Sequence, residues 1–113
     1  MYTVTKELYI SAAHQLKLSY RSKCTRKHGH NWKIRMTFRS DKLNEDGMVI
    51  DFAHVKKAIQ DKFDHRDLNK VLPQMNPTAE NLAHHLVHMF PEAVRAEVTE
   101  SPNNTAVYEL DCQ

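Results

Sequence analysis

His28-Gly29-His30-Asn31-Trp32-Lys33-Ile34-Arg35-Met36-Thr37-Phe38-Arg39 is the stretch that decides the fold. Trp32, Ile34, Met36 and Phe38 alternate with Asn31, Lys33, Arg35, Thr37 and Arg39. Period two over His30 to Arg39 predicts a strand with one buried and one solvated, largely cationic face. His28 and His30 share the parity of Trp32. Both imidazoles therefore fall at one end of the apolar face.

Working outward, Tyr2 to Ala13 has the same period. Tyr2, Val4, Leu8, Ile10 and Ala12 alternate with mostly polar partners, Lys6 and Tyr9 being the exceptions. A polar loop over Lys17 to Lys27 joins the two strands. Beyond the turn at Asn44-Glu45-Asp46-Gly47, Asp51 caps a helix over Phe52 to Phe63, with Phe52, Val55, Ile59 and Phe63 as its buried stripe. A second helix opens at Asn76-Pro77-Thr78, where proline suits a first turn. Ala79, Leu82, Ala83, Leu86 and Phe90 form its apolar stripe, and Pro91 ends it. Val94 to Thr99 and Thr105 to Leu110 close the chain as strands around the turn Ser101-Pro102-Asn103-Asn104. The order ββααββ implies an α+β domain: a four-stranded antiparallel sheet with two helices on one face. Its two open edges point to oligomerisation.

The 113 residues make one domain, 1–113, without repeat or linker. Hydrophobic residues at 41% and charged residues at 27% suit a soluble globular chain. A net charge of +2 is too mild to imply nucleic acid. The face bearing Lys33, Arg35 and Arg39 also lacks interleaved aromatic residues for stacking bases. Cys24 and Cys112 suggest no disulfide framework, so a reducing compartment is expected. Met1 to Lys6 has no apolar leader, and no stretch of about eighteen apolar residues occurs. A soluble, cytoplasmic protein is the expectation, with no membrane partner.

Eight histidines are the compositional outlier. His14 follows the first strand with the parity of Leu8, Ile10 and Ala12. If the first two strands are neighbours, His14, His28 and His30 converge at one end of the buried face. Three neutral imidazoles with an open fourth position make a catalytic zinc arrangement. A His-x-His pair alone is a weak signal; shared parity with a third histidine strengthens it. Cys24 lies four residues before His28. A closed Cys-His structural site would need a second ligand pair, and Cys112 has none. A cysteine beside a dication and beside Lys23, Arg26 and Lys27 has its thiolate favoured, which suits proton transfer. Asp64-His65 reads either as a second proton-transfer pair or as a helix-end cap. Glu100, after the third strand, reads either as surface decoration or as a carboxylate for a paired N–H edge of a heterocycle.

Six segments in order then resemble the 6-pyruvoyltetrahydropterin synthase family. They are Ser11-Ala12-Ala13-His14, Cys24-x-x-x-His28-Gly29-His30-Asn31, Met48-Val49-Ile50-Asp51-Phe52, Asp64-His65-x-x-Leu68-Asn69, Asn76-Pro77-Thr78-x-Glu80-Asn81-Leu82-Ala83 and Val98-x-Glu100-Ser101-Pro102. They span nearly the whole chain. Ile10 stands where the family usually has Phe, and Ser101 where it usually has Thr.

The resemblance implies the tunnelling fold and a homohexamer of two stacked trimers, with active sites between subunits. It implies Zn2+ on His14, His28 and His30, a catalytic Cys24 and a catalytic Asp64–His65 pair. It implies Glu100 and Thr78 as the pterin-binding residues. The implied lyase reaction takes 7,8-dihydroneopterin triphosphate, a small-molecule pterin substrate. Three residues between Cys24 and His28 resemble the branch that forms 6-carboxy-5,6,7,8-tetrahydropterin, acetaldehyde and triphosphate on the route to queuosine and other 7-deazapurines. The pyruvoyl-forming branch is the alternative, and a non-catalytic zinc-binding interaction module is the alternative of another class. Arg21, Lys23, Arg26 and Lys27 are the physical candidates for the triphosphate.

Overall fold

A computed structural model describes residues 1–22 and 25–111. Cys24, Lys23 and Cys112 lie outside the described residues. The elements are β1 (Tyr2–His14), β2 (His28–Ser40), α1 (Phe52–Phe63), β3 (Arg66–Asp67), α2 (Leu68–Val71), α3 (Ala79–Val87), β4 (Ala93–Ser101) and β5 (Asn104–Glu109).

The four long strands are antiparallel neighbours, as their alternation predicts, but the sheet has a fifth member. Its order is β3-β1-β2-β4-β5. Two-residue β3 runs parallel to β1, pairing Ala12 with Arg66 and Ala13 with Asp67. The sheet is therefore mixed rather than purely antiparallel, and there are three helices rather than two. The expected order ββααββ becomes ββαβααββ. A two-residue strand and a one-turn helix are too short to carry a periodic signal in the sequence.

The apolar faces of the strands meet the helices as their parity requires. Trp32, Ile34, Met36 and Phe38 are fully buried, as are Val55, Ile59 and Phe63 of α1 and Leu82 and Leu86 of α3. Phe52 departs from the expected stripe: it is 43% exposed and starts the helix at its solvent side. On α1, Asp51 Oδ1 accepts from the Ala53 N–H at 2.9 Å. The cap of α3 is Thr78, whose Oγ1 accepts from the Asn81 N–H at 3.1 Å. Pro77 thus precedes the helix instead of sitting in its first turn.

On the solvated sheet face the cations are matched across strands. Glu7 lies 3.6 Å from Arg35 and 3.8 Å from Lys33, and Arg95 lies 3.4 Å from Glu109. Exposed pairs of this kind add little stability. They leave that face far less cationic than its β2 residues alone suggest.

α1 and α3 are joined by a polar contact. Lys62 Nζ sits 2.8 Å from His85 Nε2, and the His85 ring meets the edge of Phe63 at 5.9 Å. Burial, then the Lys62 charge, then His84 and His88, all lower the His85 pKa. The neutral ring is the form the fold accepts. Unfolded histidine takes up its proton near pH ~6.5. As pH falls through that value, the unfolded chain binds a proton that folded His85 refuses, so stability falls. The stability difference, wild type minus His85→Gln, should therefore shrink from pH ~7.5 to ~5.5 in urea titrations; a pH-independent difference would refute this.

Candidate metal centre

The β1–β2 register places the cluster. His14 pairs with His28, and Ala12 pairs with His30, at the open end of the ladder. His14 is the one buried polar residue among the described residues, at 0% exposure. Trp32 forms the floor. Its ring centroid is 4.9 Å from that of His14 and 5.5 Å from that of His30, and its Nε1–H donates to the Ala12 carbonyl at 3.1 Å. One ligand atom each from His14, His28, His30 and Glu100 lie within 4.8 Å of one another.

The hydrogen bonds behind the rings decide their chemistry. His14 Nδ1 is 2.7 Å from the Pro77 carbonyl oxygen, and His28 Nδ1 is 2.7 Å from that of Arg26. A carbonyl only accepts, so each Nδ1 carries the proton and donates it. In a neutral imidazole the opposite Nε2 is then a bare lone pair. These two Nε2 atoms stand 3.0 Å apart, and Glu100 Oε1 lies 3.3 Å from that of His14. Two bare lone pairs and a carboxylate at this range repel. A proton or a cation must lie among them.

His30 Nε2 makes the same point. It is buried and has no hydrogen bond, although Glu100 Oε1 is 2.9 Å away. Burial is the largest cause lowering the His30 pKa; the Glu100 charge opposes it, and His14 and His28 reinforce it. The ring is thus biased to the neutral state that ligates metals. Nitrogen donors with carbonyl-fixed tautomers suit Zn2+. The 3.0 Å separation is also close to the roughly 3.3 Å edge subtended by two tetrahedral Zn–N bonds. The donor set fits a zinc ion.

The other expected site residues fall in different places. Asp64 and His65 clasp Ser11, on the edge of β1: Asp64 Oδ1 accepts from the Ser11 N–H at 2.8 Å, and the His65 N–H donates to the Ser11 carbonyl at 2.6 Å. His65 has φ 58°, a left-handed conformation uncommon outside glycine. Its ring is 82% exposed, with Nε2 3.7 Å from Asp64 Oδ2. No described contact joins this pair to the imidazole cluster. His65 and His30 do line a shared open groove of about 550 Å³, with Ser11, Asn31, Lys27 and Arg66.

Glu100 belongs both to the donor set and to a second groove of about 460 Å³, beside Ala79, Glu80 and Thr105. Thr78 uses one oxygen lone pair for the α3 cap, and its hydroxyl proton can still be donated. Of the basic loop, Lys27 is paired with Asp67, whose carboxyl this contact lowers in pKa. Arg21 and Arg26 line a groove with Ser22 and Thr25. Sequence reasoning missed the Pro77 and Arg26 carbonyls. A main-chain acceptor has no residue-type signature, and Pro77 is 63 residues from the ring it orients.

Known proteins resemble this chain in sequence and fold. The family model described as 6-pyruvoyl tetrahydropterin synthase matches residues 3–111. A 6-carboxy-5,6,7,8-tetrahydropterin synthase of Synechocystis sp. is 38% identical over 91 residues, 74% of this chain and 70% of that protein. One from Bacillus subtilis is 32% identical over 68 residues, 60% of this chain and 47% of that one. One from Rickettsia typhi is 30% identical over 115 residues, covering 81% and 83%. Among solved structures, the 6-pyruvoyl tetrahydropterin synthase of Caenorhabditis elegans superposes with a TM-score of 0.77 at 27% identity, over 97% of this chain and 96% of that one.

Alanine at His14, His28 or His30 should each weaken zinc binding by more than the roughly 10–100-fold that follows loss of an outer-sphere partner. Competition with a chromophoric chelator measures this. Unchanged affinity in any of the three would remove that residue from the donor set.

Proposed function

Because the chain belongs to the 6-pyruvoyl tetrahydropterin synthase family, we propose that it is a zinc-dependent lyase. In this reading it converts 7,8-dihydroneopterin triphosphate and one water to 6-carboxy-5,6,7,8-tetrahydropterin, acetaldehyde and triphosphate, a step toward queuosine and other 7-deazapurines. The observation that carries the reading is the set of inward-facing, tautomer-fixed Nε2 atoms.

His14, His28 and His30 hold the ion. When bound, zinc supplies Lewis-acid polarisation to the oxygens of the substrate side chain. The remaining work falls to the chain. Cys24, flanked by cations, and His65 exchange protons with the side-chain carbons and hydroxyls. Asp64 orients His65, a role supported by its rigid hold on Ser11. Glu100 receives the guanidine-like edge of the pterin, aided by Thr78; its position between the donor set and the second groove supports this. Arg21 and Arg26 take the triphosphate, a reading supported by the open groove they line with Ser22 and Thr25.

The carboxy product is favoured over the pyruvoyl one on two grounds. Three residues separate Cys24 from His28. The matching curated relatives at 38% and 30% identity carry the carboxy name. A homohexamer of two trimers completes the proposal. It is supported by β5, which among the described residues pairs with β4 alone, and by Tyr9 and Val107, 60% and 47% exposed. No helix among the described residues is long and apolar enough to cross a membrane.

The test combines products and metal. Wild type given dihydroneopterin triphosphate should release acetaldehyde, detected by mass analysis, while Cys24→Ala keeps its zinc and loses turnover. A 6-pyruvoyl product would reassign the branch. Loss of zinc in Cys24→Ala would make Cys24 a ligand and end its separate role.

A further inference from the structure

β1 does not end its pairing at His14. Along its outer edge the odd-numbered residues find partners one after another. Ser11 is held by Asp64 and His65, and Ala13 is paired with Asp67 of β3. The next two rungs are side chains. Asn69 Oδ1 accepts from the Gln15 N–H at 2.7 Å, and Asn69 Nδ2 donates to the Gln15 carbonyl at 2.8 Å. Asn76 does the same for Lys17, at 2.8 Å and 3.0 Å. A carboxamide offers one acceptor and a donor side by side, as a strand edge does. Residues two apart on an extended chain turn to the same side, which is why Gln15 and Lys17 are the pair engaged.

Both asparagines are themselves anchored. The Asn69 N–H donates to Asp67 Oδ1, the cap of α2, at 3.0 Å. The Asn76 carbonyl accepts from Asn81 Nδ2 of α3 at 2.8 Å. We propose that Asn69 and Asn76 are positioning residues for the metal centre, two side-chain rungs that prolong β1 past His14 and so aim its Nε2 at the other donors. His14 lies between the paired residues Ala13 and Gln15, so fixing their backbone fixes the direction of its ring. Asn76 also precedes Pro77, whose carbonyl holds His14 Nδ1. Gln15 passes the constraint onward: its Nε2 donates to the Thr25 carbonyl at 2.8 Å, one residue before the Arg26 carbonyl that fixes His28. Two of the three imidazoles thus inherit their aim from these clasps.

The inference rests on the proposed zinc site, and its test separates the two. Zinc affinity by chelator competition and the Co2+ d–d spectrum are measured on wild type, Asn69→Ala, Asn76→Ala and the near-isosteric Asn69→Asp and Asn76→Asp. The aspartates keep the acceptor but set a carboxylate oxygen against the Gln15 or Lys17 carbonyl. Asn44→Ala is the control. Asn44 Oδ1 also accepts from backbone, from Asp46 and Met48 at 2.9 and 3.0 Å, but in the turn before α1. The Asn69 and Asn76 variants should lose affinity about 10-fold, the lower end for outer-sphere partners, with shifted cobalt bands. Asn44→Ala should lower Tm and leave both metal readouts unchanged. Unchanged affinity and spectrum in the Asn69 and Asn76 variants would overturn the inference, as would failure of all four to fold. Wild type binding no metal would defeat the site itself.

Discussion

β1 and β2 pair along their full 13-residue lengths without a slip, and the metal centre is a consequence of that register. A one-residue shift would turn every β2 side chain to the other face. It would carry His28 and His30 into solvent together with Trp32, Ile34, Met36 and Phe38. The burial of those four apolar side chains therefore enforces the position of the imidazoles. At about 1.5–3 kcal/mol for each large buried side chain, the core outweighs the local cost of crowding three rings at the end of the ladder.

That crowding is where fold and chemistry meet. Two backbone carbonyls hold the outer nitrogens of His14 and His28, so their inner nitrogens have no choice of tautomer. The fold thus assembles lone pairs that repel one another until a cation joins them. Ligand geometry is supplied in advance by elements that would form anyway: the sheet ladder, the loop before α3 and the turn before β2. Glu100, at the end of β4, adds a negative charge from the neighbouring strand. Its carboxylate contacts both His14 and His30 while also facing a groove, so it can serve the ion's charge or a substrate's N–H edge.

Much of this was legible in sequence because strand parity is a strict rule. The alternation from Trp32 to Phe38 placed His28 and His30, and the matching parity of Leu8, Ile10 and Ala12 placed His14. Other features had no such signal. β3 and α2 each span about one period, too little for a pattern to repeat. Phe52 sits at a helical stripe position, yet as the first residue of α1 it stays 43% exposed. Lys27 looked like a free cation until folding brought Asp67 beside it. The orienting carbonyls are main-chain atoms, invisible to residue type. Asn69 and Asn76 stood inside two of the resembling segments, but only the folded chain reveals that their amides act as strand.

The central claim is that His14 and His28 are held as Nδ1–H tautomers with Nε2 bare and pointing at one another. Long-range 1H–15N correlation spectra of the imidazoles, recorded during a zinc titration, test it most directly. The structure predicts protonated Nδ1 on both rings and movement of three Nε2 resonances, those of His14, His28 and His30, saturating at one ion per chain. Protonated Nε2 on His14 or His28 in the zinc-saturated protein, or zinc that moves none of the three, would contradict it.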